Sequence, residues 1–315
     1  MGRYILRRLL LSIPVLLIVS ILVFGGVRVI PGDVCSLVLG TPDFPQERCD
    51  KVKSDLGLDK PVVTQYLNWA GGILTGDFGK SMLNRRPVWN EIQTRLYTTI
   101  ELATIATIFA VVLAMPIGVY SALKQDKLPD ISLRFLTIGW LSMPSFWIGT
   151  MLITFPAKWW GYSPPVGYVQ IWDDPLKNLE QIYLPAFALG LALSATLARL
   201  TRSSMLEILR QDYVRTARAK GLQERVVLSK HALKNAMLPV ITLLGLQLSF
   251  LLGGTVVLES LFALPGLGTL LLLSVLSKDF TQVQGLVVFF AVIVVVINLL
   301  VDLSYAWFDP RVKYS

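Results

Sequence analysis

The chain has 315 residues, of which 54% are hydrophobic and only 16% charged, with a net charge of +8 and a mean hydropathy of +0.60. A soluble domain carries about 25% charged residues, so the composition excludes an ordinary one and indicates a polytopic membrane protein. A basic excess can signal nucleic acid, but in a membrane protein the placement of Lys and Arg between loops sets sidedness instead.

Six uncharged runs approach the roughly 20 residues that a helix needs to cross a bilayer core. The first, Leu9 to Val27, follows Arg3, Arg7 and Arg8. It is longer than a signal-peptide core and no A-x-A-like site follows it, so residues 1–30 read as a first membrane helix, with a signal peptide as the alternative.

Residues 31–96 form a long outer segment. QERCDKVKSDLGL reads as a short helix ended by Gly57, and PVVTQYLNWAGGIL as a second, opened by Pro61, whose Tyr66, Leu67, Trp69, Ala70, Ile73 and Leu74 share an apolar face. That helix is expected to lie across the outer mouth of the bundle, as a lid with or without a ligand role. Cys35 and Cys49, with thirteen residues between them, suit a disulfide worth about 3 kcal/mol in an oxidising compartment; two isolated thiols fit the sequence nearly as well. No CxxC or Cys/His grouping suggests a metal. GGILTGDFGKS at 71–81 ends like a phosphate-binding loop, but Leu74 stands where the signature needs glycine. The match reads as accidental.

The second, third and fourth spans are Leu102 to Leu123, Phe135 to Ala157 and Ile182 to Ala198. Pro14, Pro116, Pro144 and Pro185 lie inside spans, where each removes a backbone hydrogen bond and makes either a hinge or a static kink. Asp173 and Asp174 sit in a Pro- and Gly-rich outer loop and read as solvated surface. Between the fourth and fifth spans, residues 199–239 carry nine basic residues from Arg199 to Lys234. Met205, Leu206, Ile208, Leu209 and Tyr213 recur at helical spacing, RTARAK continues that helix, Gly221 breaks it, and ERVVLSKHALKN starts another. The expected product is a helix–turn–helix knob. A basic hairpin lying on anionic lipid is its other reading, but Ala217, Ala219 and Gly221 leave a low-profile tip suited to a protein groove.

The fifth and sixth spans are Asn235 to Leu258 and Phe280 to Val301. With the N-terminus inside, inner segments hold Arg3, Arg7, Arg8, Lys124, Lys127, Arg134, the nine cations of the knob region, Arg311 and Lys313, whereas the short outer loops hold Lys158, Lys177 and Lys278. Both termini are therefore expected inside. Glu101, Glu259 and Asp302 lie in or at the ends of spans, where a charge usually serves a pathway or a partner. Glu259 is a candidate to fix the outer gate or the binding-protein contact, and Asp302 equally to anchor Arg311 or another inner cation. Ser142, Ser145, Gln247 and Thr255 are candidates to line a path, although Ser and Thr often bond their own helix.

Taken together, RYILRRLL at the start, IPGD at 30–33, LGLDKPVVTQY at 56–66, GDFGKS at 76–81, MPSFW at 143–147, RLTRSSMLE at 199–207, DYVRTARAKGL at 212–222, ESLFALPGLG at 259–268 and DPR at 309–311 resemble one family. It is that of the transmembrane permeases of binding-protein-dependent ABC importers, in the peptide/nickel branch and its first, B-type, subunit. The resemblance covers essentially the whole chain. Aligned on Gly221, the general Glu-Ala-Ala of the EAA motif falls on Arg215, Thr216 and Ala217, so one of three matches; the departure follows the peptide branch, and Val34 stands where the family commonly has proline.

The resemblance implies an all-α polytopic fold of six transmembrane helices, the type I ABC importer permease fold with a cytoplasmic coupling helix. Residues 1–30 would be the first helix, 31–96 the extracytoplasmic segment, and 97–315 a five-helix core carrying a coupling loop at 202–238. It further implies a second homologous permease, two ATPase subunits, an extracytoplasmic solute-binding protein and surrounding membrane lipid, with no nucleic acid. ATP and Mg would bind in the ATPases, leaving this chain without a cofactor, and Arg215, Thr216, Ala217, Arg218, Ala219, Lys220 and Gly221 would transmit the ATPase movement. Two readings from other classes stand beside it. A secondary transporter would need an ion-coupling site and leaves the knob without a role; an intramembrane enzyme would need more than the single His231 and has no HExxH or GxSxG.

Overall fold

A computed structural model of the chain describes residues 2–29, 35, 45–55 and 57–308. Among the described residues it is helical, with one isolated bridge, Lys80 to Pro87, and no strand. The helices are α1 (Gly2–Val29), α2 (Gln46–Asp55), α3 (Val62–Leu74), α4 (Val88–Leu123), α5 (Leu128–Ser142), α6 (Ser145–Trp160), α7 (Pro175–Leu209) and α8 (Asp212–Ala219). A helical turn at Glu224–Val226 and a π-helical stretch at Val227–Leu233 then lead into α9 (Lys234–Leu261), followed by α10 (Leu267–Leu276) and α11 (Phe280–Phe308). Leu6–Val29, Val88–Leu123, Pro175–Leu209, Glu224–Leu251 and Phe280–Leu303 are each long and apolar enough to cross a membrane.

The expected third span is not one helix. It is broken into α5 and α6, which meet at 95°. Pro144 stands at the break rather than inside a helix: Met143 is extended at φ −96°, ψ 121°, and Pro144 precedes the first residue of α6. The ring of a proline disfavours the helical conformation for the residue before it and removes its own N–H from the ladder. Among the described residues, five helices are therefore long and apolar enough to span, or six spans if the bent pair counts as one.

One compact unit comprises residues 1–97 and 269–296. Here α3 packs on α1, with the Tyr66 and Trp69 rings 5.3 and 5.5 Å from that of Phe24, a Ser20–Tyr66 hydroxyl bond of 2.9 Å, and Arg28 bonded to Gln65. Tyr66, Trp69, Ala70 and Ile73 are half-buried, but Leu67 and Leu74 are exposed, because the 3.6-residue period carries those two to the flanks of the stripe. Cys35 and Cys49 are joined as a disulfide. In the GDFGKS stretch, Asp77 Oδ1 accepts from the Gly79 N–H at 2.9 Å and Phe78 stacks on Trp89 at 5.4 Å. Ser81 Oγ donates to Asp279, whose Oδ1 also accepts from Met82 N at 3.1 Å. Ser81 is thus committed to a buried carboxylate that fixes the loop.

The other unit comprises residues 98–268 and 297–315. Its axis is α7, whose apolar window is 72% buried, against which α5, α6 and α9 pack. Leu102, Ile182, Leu258 and Leu264 form the centre of the core. A side chain at Gly190 would place its Cβ 2.6 Å from Ala106 O, so glycine lets α4 and α7 approach as small residues do in membrane bundles. The expected fourth span, Ile182 to Ala198, is the middle of a longer helix. Asp174 caps its start by accepting from Lys177 N at 3.1 Å, and Pro175 occupies its first turn.

Candidate functional site

The knob departs from the sequence expectation in two ways. The helix carrying Met205 to Leu209 does not continue into RTARAK: α7 ends at Leu209, and α8 starts afresh at Asp212 after Arg210 and Gln211. Residues 202–209 and 234–238 belong to the long helices, so the projecting part is 210–233, not 202–238. A lone turn of Gly221, with φ +76°, reverses the chain after α8. Its missing side chain would meet nothing within 4 Å, so glycine is needed there for its conformation and not for space.

The turn is clamped on both flanks. Arg218 makes a two-pronged bond to Glu224, at 3.1 and 2.7 Å, and this carboxylate raises the Arg218 guanidinium above its ordinary value. Asn235 donates to Tyr213 Oη and to His231 O, both at 2.9 Å, tying α8 to the π-helical stretch and α9. Val214 and Ala217 close a small core with Val227, against Ile208 and Leu209. Ala217 is therefore not at the tip, as its small size suggested; amphipathic spacing three residues from Val214 turns it inward. Arg215, Thr216, Arg218, Ala219, Lys220 and Gly221 are exposed. The result is a cationic face held on a rigid base.

The ionisable groups within the spans do not converge. Glu259 is wholly buried and accepts from Thr99 Oγ1 at 2.7 Å, while the same Thr99 oxygen accepts from Leu267 N at 2.8 Å. A Cβ at Gly266 would lie 2.1 Å from Glu259 Cδ, so the ALPGLG turn is folded directly over the carboxylate. Glu259 is the anchor of that turn. Glu101 lies two positions beyond Thr99, roughly 200° around the helix, and faces elsewhere: Tyr168 Oη donates to Glu101 Oε2 at 2.5 Å and Asn178 Nδ2 at 3.2 Å, while Oε1 is buried without a partner. Gln247 Oε1 is likewise buried and unpartnered, Ser145 is half-buried in the first turn of α6, and Asp302 is half-buried on α11. Arg311, offered as a partner of Asp302, lies outside the described residues. Ser142, exposed, bonds Ile138 O on its own helix at 2.9 Å.

One group was passed over in the sequence. Asp130 is fully buried, receives Arg202 through two bonds of 2.7 and 2.6 Å, accepts from Asp126 N at 2.9 Å and from Ser121 Oγ, and lies 3.7 Å from Arg134. It locks together α4, α5 and α7 at the end nearest the knob. Its signal was available: an acid two residues after Lys-Leu in the first turn of α5, with an arginine four positions on.

Residues 114–314 match the family described as the binding-protein-dependent transport system inner membrane component, and residues 1–103 match its N-terminal portion. The chain belongs to this family. Among its relatives, the dipeptide transport system permease protein DppB of Escherichia coli (strain K12) is 40% identical over 338 residues, with both chains covered in full. A putative peptide transport system permease protein of Brucella abortus (strain 2308) is 41% identical and the glutathione transport system permease protein GsiC of Escherichia coli O1:K1 / APEC 40% identical, each over 315 residues and again with both chains covered in full. Among solved structures, an inward-facing MetNI methionine ABC transporter superposes with a TM-score of 0.56 at 17% identity, covering 70% of this chain and 96% of that one. An amino acid ABC transporter gives 0.53 at 15% identity, covering 68% and 92%. The permease is thus a multi-pass transmembrane subunit of a binding-protein-dependent ABC importer with the all-helical importer fold, and it works with an ATPase and a binding protein. An ion-gradient transporter is no longer the alternative.

Proposed function

We propose that this permease forms half of the pathway for a short peptide, beside a second homologous permease, and that residues 210–233 carry the movement of two ATPase subunits into the bundle. The peptide assignment is supported by full-length similarity to a dipeptide permease and to peptide-permease relatives. ATP and Mg act in the ATPases, and both chain termini lie on the same, cytoplasmic side as the knob.

The observation that carries the coupling role is the pairing of an exposed cationic face on α8 with a base that cannot flex independently. The Arg218–Glu224 clamp, the Tyr213–Asn235 bond and the Val214, Ala217 and Val227 core join α8 to both α7 and α9. A displacement of α8 is then a displacement of two helices that run into the core, which is rigid-body transmission between a bistable ATPase pair and the pathway. The exposed residues Arg215, Thr216, Ala219 and Lys220 would contact the ATPase, while Ala217 supports them from beneath. Gly221→Pro cannot hold φ +76°, because proline fixes φ near −65°. In proteoliposomes containing the complete importer, Gly221→Pro and Ala219→Trp are expected to abolish ATP-dependent dipeptide uptake while the chain still inserts and assembles with its second permease. Uptake at wild-type rate in both variants would refute the coupling assignment.

A further inference from the structure

Beside the Asp130 lock lies a cleft of about 220 Å³ between α4, α5 and α7, which the transport reading leaves without a role. Arg134, Arg199 and Arg202 line it, with Ile117, Leu133 and Ile138 as its apolar wall. Three guanidiniums stand beside buried Asp130, and the Asp126 carboxylate also acts on Arg202. Arg202 is consumed by its two bonds to buried Asp130; Arg134 reaches Asp130 only at 3.7 Å with its side chain 44% exposed; and Arg199 is exposed with no ion pair among the described residues. The Arg199 charge is left without a carboxylate partner among the described residues, and that of Arg134 with only a distant one. The cleft is smaller than the roughly 300–1,000 Å³ that encloses a drug-sized ligand, so it fits a headgroup whose remainder stays outside. The apolar wall continues onto α5, where Ile138 and Phe135 are exposed at 53% and 72%.

We propose that this cleft binds the phosphate headgroup of an anionic phospholipid. Arg199 and Arg134 grip the phosphate oxygens with the planar fork that suits them, and one acyl chain runs along Ile138 and Phe135. Asp130 has a positioning role: it neutralises Arg202 and draws Arg134 to the edge of the cleft, so that the bound phosphate meets two arginines and not three. A lipid seated here braces the three helices at the end from which the knob projects. The inference rests on the cleft itself and holds whatever the cargo of the importer.

The test is native mass spectrometry of the full chain, purified with its accompanying subunits in mild detergent and titrated with dioleoyl phosphatidylglycerol, dioleoyl phosphatidylcholine or inorganic phosphate. Phosphatidylglycerol should be retained in preference to phosphatidylcholine. Arg199→Gln should reduce its retention about five-fold, the loss expected for one cation worth about 1 kcal/mol near a lipid surface, and Arg134→Gln should act in the same direction. Lys177→Gln, which removes an exposed charge from the opposite end of α7, should leave retention unchanged. Equal retention by wild type and both arginine variants overturns the proposal. So does equal retention of phosphatidylcholine, which would make the cleft a plain apolar groove, or displacement of the lipid by inorganic phosphate at matched concentration, which would make it a free-anion site.

Discussion

Asp130→Ala is expected to be among the most damaging single replacements in the second compact unit. The carboxylate is fully buried and takes two bonds from Arg202, one from Ser121 and one from the Asp126 N–H. Hydrogen bonds to charged groups contribute about 1.5–3 kcal/mol each, so a simple sum would overshoot, because Arg202 is 17% exposed and recovers some water when its partner goes. Breaking a buried pair from one side costs about 3–5 kcal/mol, and that is the expected loss. Removing both ends should be milder: Asp130→Ala with Arg202→Met leaves no stranded charge and is expected to recover at least about 2 kcal/mol of it. Unfolding of the detergent-solubilised protein by sodium dodecyl sulfate, followed by tryptophan fluorescence, would measure all three forms. A loss below about 0.5 kcal/mol for the single variant, the range of a neutral surface change, would refute the buried lock, as would a double variant no better than the single.

Two further outcomes follow from the buried carboxylates. Gly266→Ala forces a methyl group to within 2.1 Å of Glu259 Cδ, and because Thr99 holds that side chain the clash cannot be relieved cheaply; a loss of at least about 1–3 kcal/mol is expected in the same unfolding assay, and wild-type stability would show that Glu259 is free to move. Glu101→Gln keeps an acceptor for Tyr168 and Asn178 and is expected to lie within about 0.5 kcal/mol of wild type, whereas Glu101→Ala removes it at a cost of about 1–3 kcal/mol. Equal stability of the two would show that the carboxyl position bears no load.

Properties set by local chemistry were legible in the sequence. Pro61 does precede α3, Gly221 does reverse the chain after α8, and five of the six apolar runs do lie in long helices, because each depends on residues within a turn or two. What escaped depends on the partner across the fold. Phe135 to Ala157 has the hydropathy of one span, and nothing in its composition distinguishes a mild kink at Pro144 from a turn of 95°. Ala217 reads as a small residue at a tip until Val227 returns to cover it, and Glu259 reads only as a charge near the end of a span until Gly266 folds over it. Asp130 and Arg202 are 72 positions apart, and neither neighbourhood announces the other.

The π-helical stretch from Val227 to Leu233 fixes an angular phase. An α-helix advances about 100° per residue, and a π turn accommodates one residue more than an α turn. The heading of α8 about the axis of α9 is therefore indexed by a single residue in this stretch. Deleting one residue there would leave the spans, the exposed cations and the Gly221 turn with their own sequences intact, yet swing the knob by about a quarter turn relative to α9, presenting an unchanged key to its lock in the wrong orientation.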